Sequence, residues 1–278
     1  MGRFPARIFR KKESKDMSEG TYLGEKTMGA PTSRRKFLAG SAAALAGGAL
    51  MAVPGAALAD ADGENKHGRV TDVEILNYAL TLEYLEATFY TQGLNKFDKG
   101  DFEKYFKNNK PYRKQGIKDL DGGAVYEEFV RIREHEQTHV KTLQAVIKSL
   151  GSKPVPESTY NFDKTAFTGI GKFVAVAELL ENTGVSAYDG AIAYIKAAKL
   201  QTAGATIATV EARHASYLNL INGHVPFPMP FDKPVAPRKI CRAVQAENGG
   251  FIVKSPKPYG PYKSLDALCA RLPNSVLA

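Results

Sequence analysis

The chain has 278 residues, 44% hydrophobic and 24% charged, with 38 Lys+Arg against 29 Asp+Glu and a formal charge of +9. That apolar content excludes a disordered chain and is enough for one substantial core. The excess positive charge would suit nucleic acid, but 10 of the basic and 4 of the acidic residues fall in the first 59 positions. The remaining 28 against 25 leave only +3 for the rest, which argues against a nucleic-acid partner.

Residues 1–59 read as an export leader. Ser33-Arg34-Arg35-Lys36-Phe37-Leu38 precedes an Ala/Gly-rich apolar run, and Ala57-Leu58-Ala59 supplies a small-residue cleavage site after Ala59. The Arg34-Arg35 pair before Phe-Leu resembles a twin-arginine signal, which implies the twin-arginine translocation machinery as a partner and a bacterial periplasmic or extracellular destination. The run is too interrupted for stable membrane insertion after cleavage. Export to an oxidising compartment makes a Cys241–Cys269 disulfide the expectation, with two buried free thiols as the alternative.

Residues 60–70 are a polar linker. Thr71-Asp72-Val73-Glu74 predicts a capping box, and four helical segments follow at about 72–92, 124–150, 170–200 and 203–222. The first connection, about 93–123, predicts a short extra helix. The second, about 151–169, carries Pro154 and Pro156 and serves as a long crossover between helices 2 and 3. The third is only a few residues long. Residues 71–222 thus form an all-α four-helix bundle. Residues 223–278 form an irregular, Pro-rich C-terminal extension packing on it, with no strand pattern of length and no fifth short helix in evidence.

Each helix carries an apolar stripe at 3–4 spacing. The stripes are broken at one level only, by Glu83 in the first, Glu136 and His139 in the second, Glu181 in the third, and Glu211 and His214 in the fourth. A carboxylate in a bundle core costs several kcal/mol unless paired or metal-bound, and no Lys or Arg lies in the stripes. Two divalent cations would neutralise four carboxylates, with two neutral imidazoles completing the ligand set. Glu83 and Tyr90 repeat the spacing of Glu181 and Tyr188, and Glu136-x-x-His139 repeats in Glu211-x-x-His214. The chain therefore reads as two hairpins in pseudo-two-fold relation. Tyr90 and Tyr188 are placed as hydrogen-bond partners of the ligating carboxylates. Glu64-x-x-His67 has the same spacing but no apolar stripe around it. Glu134 and His135 fall off the stripe and are expected to face solvent. Glu86 and Glu178 are expected at the rim or as neighbours supporting the ligands, and His224 carries no role.

These segments resemble a known group. Leu82-Glu83-Tyr84-Leu85-Glu86-Ala87-Thr88-Phe89-Tyr90, His135-Glu136-Gln137-Thr138-His139-Val140, Glu178-Leu179-Leu180-Glu181-Asn182-Thr183-Gly184-Val185 and Val210-Glu211-Ala212-Arg213-His214-Ala215 resemble the ferritin-like di-metal carboxylate superfamily. Together with Pro230-Phe231-Asp232-Lys233-Pro234, they are similar to an exported ferritin-like family related to plant desiccation-related proteins. The similarity covers about residues 70–253, and residues 254–278 have no counterpart in it. It implies a ferritin-like bundle and a di-iron or di-manganese centre. Oxygen-rich ligands with two imidazoles suit iron or manganese better than zinc. The expected chemistry is redox work on O2, peroxide or ferrous iron in oxidative or desiccation stress, as a ferroxidase or a peroxidase- or catalase-like enzyme. Manganese-catalase-like peroxide dismutation is one alternative, and a non-catalytic envelope protein using metal for stability is the other. Homo-oligomerisation is compatible with the sequence.

Overall fold

The structure, a computed structural model, describes residues 70–277; Arg34, Arg35, Ala59 and His67 lie outside the described residues. Thr71 opens α1 (Asp72–Lys96): its hydroxyl accepts from Glu74 N at 3.3 Å, and Thr71 N donates to the Glu74 carboxylate at 2.8 Å. Two of the unpaired amides of a helix start are satisfied this way. Asp98 and Asp101 repeat the device for α2 (Lys99–Asn109), the extra helix of the first connection. A 3-10 turn at Pro111–Gln115 leads on to α3 (Gly122–Ser149).

The crossover then runs to α4 (Ile170–Ile192) and α5 (Ala198–Ile221). It buries Phe162 and Phe167 against Phe89 of α1, with ring centroids 5.4 and 5.6 Å away. Helices α1 and α3 form one hairpin and α4 and α5 the other, and their apolar stripes meet in a single core.

The break between α4 and α5 differs from the expected one. The periodicity predicts helix to about residue 200, but α4 stops at Ile192 and α5 starts at Ala198. Asp72, fully buried at the start of α1, accepts Lys196 N at 2.8 Å and Ala197 N at 3.0 Å. Ala197, in the capping position, has no side chain that could do this, so the cap is supplied from another helix.

The extension is also more ordered than its sequence suggests. It carries the short helices α6 (Pro237–Ala243) and α7 (Leu265–Arg271), where the sequence pattern predicts none. Cys241 of α6 and Cys269 of α7 are joined by a disulfide. A two-residue strand in the crossover, β1 (Thr159–Tyr160), pairs antiparallel with β2 (Ile252–Lys254). Val235 N donates to Ser186 O of α4 at 3.0 Å, and a Cβ on Gly190 would stand 1.9 Å from the Val235 carbonyl oxygen. Only glycine lets the extension lie this close to α4. Arg271 pairs with Glu74 and ties α7 to the start of α1. No helix among the described residues is long and apolar enough to cross a membrane.

Candidate metal centre

The four helices bring Glu83, Glu136, Glu181 and Glu211 to one level of the core, all with no exposed surface. His139 and His214, one turn after a glutamate on α3 and α5, lie in the same layer with side chains 11% and 7% exposed. Both imidazoles turn Nδ1 inward. His139 Nδ1 lies 3.2 Å from Glu83, 3.1 Å from Glu136 and 3.2 Å from Glu211. His214 Nδ1 lies 3.2 Å from Glu136 and 3.1 Å from Glu181. Among the described residues no Lys or Arg pairs with any of the four carboxylates.

The six residues sort into two ligand groups. Glu83, Glu136, His139 and Glu211 form one, and Glu136, Glu181, Glu211 and His214 the other; within each, one atom per residue lies within 4.8 Å of the others. Glu136 and Glu211 belong to both groups. They are also the residues with unmet bonding capacity. Glu136 Oε1 and both Glu211 oxygens are buried and make no well-aligned hydrogen bond, although an imidazole Nδ1 lies 3.2 Å from Glu136 Oε1 and from Glu211 Oε1; such atoms are rare inside proteins.

A family model described as ferritin-like domain matches residues 71–224. The chain belongs to the ferritin-like domain family. No curated protein matches the chain. In this ferritin-like protein the cluster passes a chemical test for divalent metal. It has four carboxylates, two inward imidazole nitrogens, and three oxygens on the two shared residues without a well-aligned hydrogen bond, enough donors for two ions.

Two tyrosines buttress the cluster in a crossed pattern. Tyr90 of α1 donates to Glu181 of α4 at 2.6 Å, and Tyr188 of α4 donates to Glu83 of α1. Each hydroxyl serves the glutamate of the opposite hairpin rather than the one on its own helix. Burial, and then the neighbouring carboxylates, hold both phenols well above the ordinary tyrosine range, so they stay donors.

The acid–base state of the metal-free cluster follows from crowding. Burial, then Glu181, raises Glu136 from 4.5 to about 7. Burial, then Glu136 and Glu181, pushes Glu211 well above the usual carboxylate range. For Glu83 burial acts upward, but the charge and hydrogen bond of His139, with bonds from Glu136 and Tyr188, outweigh it and bring the group down. Burial lowers His214, yet the close approach of its Nδ1 to Glu136 and Glu181 carries it to about 9. His139 moves up as well, because the charge of Glu83 and the close approach to Glu83, Glu136 and Glu211 overcome its burial. Without metal, protons stand in for the missing positive charge.

Two neighbours of the cluster remain to be placed, and one of them departs from expectation. Of the two places expected for Glu86, it takes the one beside the ligand candidates rather than the rim, and is 4% exposed. Its Oε1 is 3.2 Å from where a Cβ on Gly184 would stand, and Glu211 Oε2 is 3.3 Å from the same point. Burial, then Glu211 and the other three carboxylates, raises it well above its usual range, making it a fifth carboxyl that stays neutral. The Glu83/Glu86 spacing of three already puts both on one helix face. His135 does not face solvent freely. It is half-buried, stacks on His214 with centroids 5.2 Å apart, and sets its Nδ1 2.9 Å from His214 Nε2. For His214 Nδ1 to act as a ligand, Nε2 must keep its proton and donate it to His135, so His135 fixes the tautomer. Its counterpart before Glu211 is Val210, so the two half-sites are not equivalent. Glu134 is exposed, and Glu178 and His224 pair with each other at 2.6 Å near the surface.

Proposed function

We propose that this ferritin-like protein is exported by the twin-arginine route and holds two iron or manganese ions in its carboxylate–histidine core. There it performs redox chemistry on dioxygen, peroxide or ferrous iron. The observation that carries the reading is the pair of ligand groups sharing Glu136 and Glu211, three of whose four buried oxygens make no well-aligned hydrogen bond. The leader's Arg34-Arg35 pair supports export, and the disulfide fits an oxidising compartment.

In this reading Glu136 and Glu211 serve both ions, Glu83 and His139 complete one half-site, and Glu181 and His214 the other. Two such ions would supply a two-electron change of oxidation state. The protein's own part is to bind and orient. Tyr188 and Tyr90 hold Glu83 and Glu181 in place, His135 holds the His214 tautomer, and the apolar layers around the cluster exclude water.

The full burial of all four carboxylates also favours a second reading, in which the metal mainly makes a charged core stable. Metal analysis of protein purified from its native compartment, with turnover assays on the same sample, tests both. The first reading expects close to two ions per chain together with ferrous oxidation or oxygen evolution from peroxide. Oxygen evolution would mark the catalase-like version. Two ions without turnover favour the second. Less than ~0.2 ion per chain after reconstitution with iron or manganese refutes both, measured against the two-metal model.

A further inference from the structure

The segment after α5 leaves large apolar side chains in water. Among the described residues seven large hydrophobic side chains are exposed, and four of them, Val225, Phe227, Met229 and Phe231, fall within seven positions. Phe227 and Phe231 are 78% and 83% exposed. Exposed apolar residues scattered singly need no explanation, but a cluster of them marks a contact surface. The segment is tied down at both ends and free between them. Asn219 donates to the Pro226 carbonyl at 3.3 Å, Val235 is bonded to α4, and every residue from 227 to 234 is exposed. Pro226, Pro228 and Pro230 alternate with the apolar residues and fix φ at every second position, so these side chains are held out at low entropic cost. With Pro234, they also remove four of the ten backbone N–H groups of residues 225–234, the donors that an apolar environment would leave unpaired.

A basic surface begins where this loop begins. Residues 104–118 carry Lys104, Lys107, Lys110, Arg113, Lys114 and Lys118 with no Asp or Glu between them. Five of the six are exposed and Lys110 is half-buried, and among the described residues none is paired with an acidic side chain. The turn at Pro111–Gln115 lies against the start of the loop. Gln115 Nε2 donates to Gly223 O at 3.0 Å, and a Cβ on Gly223 would stand 2.4 Å from the Pro111 carbonyl oxygen and 3.3 Å from Lys114 Cδ. Asp232, the loop's one acid, is followed by Lys233. We propose that the loop and the basic turn together dock the protein on an anionic lipid surface, with the lysines and Arg113 on the headgroups and Phe227, Met229 and Phe231 in the interface. The uncompensated positive charge selects an anionic surface. Apolar side chains that protrude on a donor-poor loop select lipid, since a soluble polyanion offers them no apolar phase. The protein would lie on the bilayer rather than span it. The proposal needs neither metal nor turnover.

Flotation of protein purified from its native compartment tests this, with vesicles of phosphatidylcholine alone or mixed with phosphatidylglycerol. Wild type and variants carry the same N-terminus, so any leader left on it contributes equally. Wild type should float with the mixed vesicles and not with phosphatidylcholine alone. Phe227→Ser with Phe231→Ser should weaken binding at least about tenfold. Both side chains are largely exposed, so the fold is not at stake. Lys107→Gln with Lys114→Gln should weaken it about 25-fold, about fivefold for each charge. Lys153→Gln with Lys263→Gln removes the same charge near the start of α1, at the other end of the bundle, and should change little. The chain has no Trp, so Phe227→Trp is a single reporter. Its emission should shift to the blue on the mixed vesicles and be quenched by brominated acyl chains. The proposal is overturned if wild type ignores the mixed vesicles, if either the Phe pair or the Lys107/Lys114 pair binds like wild type, or if vesicle-bound Phe227→Trp keeps the emission of a water-exposed indole. A blue shift that grows with protein concentration in the absence of lipid would also overturn it, because the loop would then be covered by a second copy of the chain.

Discussion

Replacing Glu136 by Gln should change stability in opposite directions with and without metal. The free carboxyl value is 4.5 and the folded one about 7, a rise caused first by burial and then by Glu181. At pH 8.5 the metal-free protein therefore carries an ionised Glu136 at a cost of about 3 kcal/mol, from 1.36 kcal/mol per pKa unit. Glutamine has the same shape without the charge. It keeps one acceptor for the imidazoles at 3.1 and 3.2 Å but loses the ionic part of those contacts, which leaves a net gain of about 1–3 kcal/mol. For an ordered body of this size that is a rise of about 2–10 °C in Tm. In metal-loaded protein the same change removes a donor from both half-sites. Metal at about 100 times its Kd stabilises by roughly 2.7 kcal/mol per site, and the variant forfeits most of it. Paired melting curves by circular dichroism, with and without chelator, read the two arms, and Glu134→Gln on the exposed face is the control. Metal-free Glu136→Gln melting below wild type at pH 8.5 would refute the account of a strained carboxylate core.

Three further outcomes are expected. Glu136 and His214 both have folded values above their free values, about 7 against 4.5 and about 9 against 6.5. Their contributions are fully present below the free values and are lost as pH rises through the folded ones. Metal-free Tm should therefore fall between pH 5 and 9, while metal affinity, which requires those protons to leave, should rise over the same window in calorimetric titrations. His135→Ala should weaken binding at one half-site by about 10–100-fold, the usual worth of an outer partner of a ligating histidine. It would appear in calorimetry as a larger gap between two binding steps, and an unchanged isotherm would remove His135 from the site. Asp72→Ala should lower Tm through about 1–2 kcal/mol of lost capping at the start of α5, although Asp72 lies on α1; hydrogen exchange at Lys196 and Ala197 should rise with it.

The helices and the buried carboxylate–histidine layer are legible in the sequence for one physical reason. Charge inside an apolar stripe is expensive, so Glu83, Glu136, Glu181 and Glu211 stand out against the Leu, Ile, Val and Phe around them. What is not legible is what depends on a different helix. The turn into α5 at Lys196 and Ala197 is held by a carboxylate more than 120 residues earlier, and no local pattern carries it. His135 looks like a surface residue on α3 because its partner, His214, belongs to α5. The crossed tyrosines need the inter-helix geometry as well. Glu86 is the exception, since its spacing from Glu83 is a usable signal. The β1–β2 pairing joins segments of two and three residues, too short for any alternation to register.

The two hairpins contribute to the half-sites in an unequal but interlocked way. One group takes Glu211 from α5 to finish a set otherwise held by α1 and α3, and the other takes Glu136 from α3 to finish a set held by α4 and α5. Neither hairpin alone owns a complete set, so an ion bound in either group would be held by both. Metal exchange then becomes a clock for the separation of the hairpins. Once a strong chelator is in excess, the release rate should stop depending on its concentration and report how often the bundle opens.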